Sequence, residues 1–104
     1  MGFQQYHEPA HDLDKKTRTR ARMFASLTEE AEAIGWYDQR LSIETDKEVI
    51  AILSSAQKEE FKHFSMDLEW LLRQMPVWQK TAKGIIFQSG NIAANGEKAE
   101  EKAG

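Results

Sequence analysis

The stretch that decides the fold is Asp46–Gln74, DKEVIAILSSAQKEEFKHFSMDLEWLLRQ. Val49, Ile50, Leu53, Ala56, then Phe64, Leu68 and Leu71 recur at helical spacings, the pattern of an amphipathic helix. The spacing predicts a helix over 46–74. Thr45 or Asp46 can cap it, Glu48 lies in its first turn, and Arg73 suits the negative end of its dipole. On a wheel with Leu53 at zero, Leu71 returns to about 0°, Glu60 and Phe64 fall within about 20°, Asp67 and Val49 about 40° away, and His63 about 80° away. Glu60, Asp67 and His63 therefore sit in or beside a seam that should be apolar. Lys58, Glu59, Lys62, Glu69 and Arg73 take the outer face. A buried carboxylate is costly unless it is paired, protonated or bound to a metal. The cations of this helix point outward, so a divalent or trivalent ion is the partner that resolves the pattern.

Working outward, residues 12–41 predict a first long helix, capped by Asp12 or Asp14. Its stripe is Met23, Phe24, Leu27, Ala31, Ile34 and Leu41, with Gly35 a mild weak point. With Leu27 at zero, Glu30 lies about 60° away, on the shoulder of the stripe, and Tyr37 about 80° away. Glu29, Glu32 and Trp36 fall on the opposite face. Ser42–Asp46 reads as the turn of an antiparallel hairpin. Pro76 ends the second helix and opens a third over 76–93, with Ser89, Gly90 and Asn91 as weak points. From Asn95 the chain is polar, NGEKAEEKAG. The expected organisation is an all-α domain over 1–93, made of a two-helix hairpin plus a shorter C-terminal helix, and a disordered tail over 94–104.

Glu60 and His63 form Glu-x-x-His, which projects both side chains from one side of a helix. Di-metal carboxylate bundles use one Glu from each of two helices and Glu-x-x-His from each of the other two. This chain holds half of that set: Glu30, Glu60 and His63. Two copies supply all of it, which predicts a metal site at a two-fold interface of a homo-oligomer. Carboxylate-rich ligation with one imidazole per metal suits iron or manganese. Asp67, one turn beyond His63, reads as a hydrogen-bond partner of that histidine rather than a ligand. Tyr37 is placed to support the site through its hydroxyl. Glu29, Glu32 and Trp36 read either as a solvated acidic face or as a second, cation-collecting subunit interface. His7 and His11 flank Pro9, which spoils a regular pair. Met23, Met66 and Met75 read as packing.

Composition narrows the function classes. The chain has 104 residues and no cysteine, which excludes disulfide scaffolds, thiolate zinc sites and cysteine nucleophiles. The net charge of −3 argues against nucleic acid as partner, despite Lys15, Lys16, Arg18, Arg20 and Arg22 in one patch. No run approaches the ~18 apolar residues of a membrane span. The start, MGFQQYHEPA, has neither the basic n-region nor the apolar h-region of a secretory signal.

The run Glu29–Arg40, EEAEAIGWYDQR, resembles the first-helix signature of the encapsulated ferritins. The run Glu59–His63, EEFKH, followed by Met66–Leu71, MDLEWL, resembles their second-helix signature, and His7-Glu8-Pro9 also fits. The match covers about residues 7–90 with the spacing preserved. The resemblance implies hairpins that pair into a ferritin-like four-helix core. It implies a di-iron ferroxidase centre at that interface, built from Glu30, Glu60 and His63 of each partner, with Tyr37 beside it. Glu29 and Glu32 then map to an acidic site for Ca or another divalent cation at the other interface, lined by Trp36, which draws iron toward the centre. The implied assembly is an annular decamer, carried in the cytoplasm inside an encapsulin shell that stores the oxidised iron. Two departures stand out. Asp67 occupies a position where the family has a small neutral residue, often Thr. The stretch 95–104 carries no apolar docking motif of the kind a targeting peptide uses.

Two other function classes fit the same residues. One is a non-catalytic, metal-dependent helical assembly module, separated from a ferroxidase by oxygen consumed per iron added. The other is a metal-free helical interaction domain, which would keep its oligomer in chelator.

Overall fold

The computed structural model describes residues 4–104. No strand occurs among them, and the all-α expectation holds. After a 3-10 turn at Ala10–Asp12 come four helices: α1 (Lys15–Ile43), α2 (Lys47–Gln74), α3 (Pro76–Lys83) and α4 (Ile92–Ala103). Among the described residues, no helix is long and apolar enough to cross a membrane. The chain divides into two compact units, one ending at Glu69 and one comprising Trp70–Gly104.

The first unit is the hairpin. Asp14 caps α1 by accepting a 2.7 Å hydrogen bond from the Thr17 backbone N–H. Three residues, Glu44–Asp46, turn the chain. The Glu44 carboxylate accepts from the Thr45 and Asp46 N–H groups, and Asp46 accepts from those of Glu48 and Val49. The free donors at the start of α2 are thereby satisfied. Midway along the pair, the Gln57 amide donates across to the Ile34 carbonyl at 3.2 Å. With the short turn, that bond ties α1 to α2 across the hairpin. The apolar stripe of α1 is only half-buried: none of its 29 residues is buried. Ile43, Ile52, Phe61 and Met66 are exposed outright. Two lone helices cannot cover their own apolar stripes, because each offers the other a single line of contact.

The second unit packs the last turn of α2 with α3 and α4. Leu71, Leu72, Ala82 and Ala99 are its buried residues. Pro76 stands at the start of α3, as expected. The single helix expected over 76–93 is instead two. α3 ends at Lys83, Gly84 forms its C-cap, and the chain passes through Phe87 (φ 64°) and Gly90 (φ 95°) before α4 begins. The disordered tail expected over 94–104 is likewise corrected, because Ile92–Ala103 is helical. Two local causes account for it. Asn91 caps α4 through a 2.8 Å bond from the Ala94 N–H. Ala99 fits against Gly84 so closely that a Cβ on Gly84 would lie 2.6 Å from its own. Small residues let the two helices touch there, and the contact removes Ala99 from water.

Candidate metal centre

Glu30 projects from α1, and Glu60 and His63 from α2. One ligand atom from each lies within 4.8 Å of the other two, and all three residues are half-buried. Among the described residues this is the one group of three or more His, Asp and Glu side chains so arranged. The helical spacing of Glu60 and His63 places His63 Nδ1 3.5 Å from Glu60 Oε1. The hairpin supplies the third member across the pair. Ser26, Glu29, Glu30, Glu60 and His63 line a cleft of about 300 Å³.

The electrostatics of the cleft are unfavourable without a cation. Glu30 Oε1 and Asp67 Oδ2 are enclosed, and with both carboxyls ionised neither finds a hydrogen-bond donor. Burial, first, then the hydrogen bond of the protonated carboxyl to Asp67, and then the negative charge of Asp67, Glu60 and Glu29 push the Glu30 carboxyl up to about 7. A proton held between Glu30 and Asp67 relieves the repulsion, and a bound cation would do the same. The donor set of two carboxylates and one imidazole matches hard or borderline cations such as Fe(II) and Mn(II). The residues present therefore fit a metal ion, by their chemistry and by the orphaned oxygen of Glu30.

The remaining candidates are placed less centrally. Tyr37 is half-buried, with the Arg40 guanidinium 5.3 Å from its ring centroid, and it does not line the cleft. Glu29 lines the cleft beside Glu30, whereas Glu32 is exposed elsewhere on α1. Trp36 is 52% exposed and lines a separate surface hollow with Gln39 and Arg40. His11 contacts Asp12 at 3.3 Å, and His7 lines a different pocket beside Arg20 and Phe24, so no second histidine site forms there. Asp67 packs against Glu30 across the hairpin, where its spacing on α2 had suggested His63. Ser26, one turn before Glu30, was not legible as a lining residue. Glu59 was read as solvated; it pairs with Lys62 at 3.1 Å and lies 4.0 Å from His63 Nε2.

The sequence pattern of the EncFtn-like family matches residues 5–89. An encapsulated ferritin-like protein of Rhodospirillum rubrum is 42% identical over 88 residues, covering 85% of this chain and 63% of the relative. The chain thus spans just under two thirds of that relative's length. A ferritin-like protein of Thermotoga maritima is 41% identical over 100 residues, covering 96% of this chain and 85% of the relative. The crystal structure of protein ne0167 from Nitrosomonas europaea superposes with a TM-score of 0.81 at 39% identity, covering 86% of this chain and 99% of that one.

Proposed function

We propose that this chain, which belongs to the EncFtn-like family, is a ferroxidase that oxidises Fe(II) to Fe(III) with oxygen at a di-iron centre shared by two copies. The observation that carries the reading is the convergence of Glu30, Glu60 and His63 around an enclosed carboxylate oxygen that has no donor. One copy holds half of the ligand set of a carboxylate di-iron site, and a two-fold partner holds the other half. The half-buried stripes of α1 and α2 give that partner a surface to cover.

Fe(II) is the substrate. Glu30 and Glu60 of the two copies would hold the ions through hard oxygen donors, and the His63 of each copy would offer a nitrogen to one of them. Hard donors hold Fe(III) more strongly than Fe(II), so the residues that bind the substrate also favour its oxidation. Each Fe(II) loses one electron; oxygen accepts the electrons and takes protons from the surroundings. Glu30 must surrender its proton on binding, so affinity falls at acid pH. Tyr37, outside the cleft of the single chain, would support the ligands only in the paired assembly. Glu29 at the cleft and Glu32 farther along α1 would accept Ca or another divalent ion at the other interface and draw cations toward the centre. Family membership supports the larger assembly: dimers closing into an annular decamer, housed in the cytoplasm within an encapsulin shell that stores the product.

Anaerobic native mass spectrometry, with and without Fe(II), tests the reading. Iron is expected only in even-numbered assemblies, at about two ions per pair of chains. Oxygen uptake on adding iron then separates a ferroxidase from a passive metal-dependent assembly module. Glu60→Ala and His63→Ala are expected to abolish uptake while remaining helical. Wild-type uptake in either variant overturns the site assignment.

A further inference from the structure

Asp67 is an enclosed carboxylate against the centre that the proposed chemistry leaves unused. It stands one turn beyond His63 on α2, half-buried, and its Oδ2 is enclosed without a donor. Its contact is with Glu30 on the facing helix. Setting two carboxylates together away from water is unfavourable in the metal-free protein. The cost is offset when a cation stands beside them. Outer partners of metal ligands commonly change metal affinity 10–100-fold.

We propose that Asp67 is an outer charge of the metal centre, standing beside the Glu30 carboxylate and adding the negative charge that tightens cation binding at the Glu30–Glu60–His63 cluster. The inference rests on the reading of that cluster as a metal site. Two-fold pairing gives each centre two such residues. Their attraction grows with the charge of the ion, so Asp67 favours Fe(III) over Fe(II) and biases the centre toward oxidation. It does so without being a ligand: its oxygens are not among those that converge within 4.8 Å.

Asp67→Asn keeps the shape and removes the charge. Mn(II), which is stable in air, serves as the probe, titrated at about pH 8, above the value to which Glu30 is raised. The variant is expected to bind Mn(II) roughly tenfold more weakly. Its metal-free form is expected to melt at the wild-type temperature or above, because the carboxylate pair is gone. Mn(II) affinity within about twofold of wild type overturns the proposal, being far below the effect of an outer partner. Weakened binding with a lowered metal-free melting temperature also overturns it, since Asp67 would then act through the fold. Glu60→Ala tests the premise separately. If it binds Mn(II) as well as wild type does, the cluster itself is not a metal site.

Discussion

Glu30 holds its proton to about pH 7 because burial withdraws the carboxyl from water, its proton is hydrogen-bonded to Asp67, and Asp67, Glu60 and Glu29 surround it with negative charge. Its ordinary value is 4.5. Between those values the folded metal-free protein binds a proton that the unfolded chain does not. Stability therefore falls as pH rises from about 4.5 to about 7 and is flat above. Urea midpoints across that window are expected to show the decline, and Glu30→Gln is expected to flatten it. An unchanged slope in Glu30→Gln would assign the decline to other groups. Metal reverses the sign, since a bound cation displaces the proton and stabilises the ionised form. Glu30, Glu60 and His63 were legible in the sequence because a wheel reports which way a side chain points from its own helix. The partner of Asp67 was not. It depends on how far one helix slides along the other, and that offset is set by the Glu44–Asp46 turn and the Gln57–Ile34 bond.

At the scale of elements, α3 and α4 are joined by contact between small residues. Gly84 is there for space: its backbone is ordinary right-handed helix (φ −81°), and the added Cβ would meet Ala99 Cβ at 2.6 Å and Ala99 Cα at 3.3 Å. Gly84→Ala is expected to destabilise this unit by about 1–3 kcal/mol, the usual cost of overpacking. Chemical denaturation followed by circular dichroism, with hydrogen exchange over 92–103, measures it. Unchanged protection of α4 in the variant would mean that Ala99 is not what anchors the helix. The same contact explains why the tail was misread as disordered. NGEKAEEKAG offers alanines as its only apolar side chains, so a hydrophobicity pattern passes over it. Its order comes from one buried alanine against a glycine fifteen residues earlier, together with the Asn91 cap. The two long helices were legible because each repeats its apolar residues over many turns. Their ends were also legible in chemical type, with Asp14 and Asp46 as the caps.

For the whole molecule, the long helices leave large apolar side chains exposed. α1 carries a half-buried inner stripe of Met23, Leu27, Ile34 and Leu41, and it also carries Trp36 and Ile43, 52% and 82% exposed, on its outer side. Under the proposed function these two surfaces have separate duties: the inner one, beside Glu30, would meet a partner to complete the metal centre, and the outer one, which bears Trp36 beside Gln39 and Arg40, would join one metal-bearing pair to the next. Trp36→Lys replaces an apolar contact with a charge on that outer side and leaves the cleft residues in place. It is expected to convert large assemblies into pairs of chains that still hold iron, as read by analytical ultracentrifugation with iron analysis of each species. If iron is lost together with the large assembly, a single interface serves both duties, and the centre depends on contacts that the pair alone does not provide.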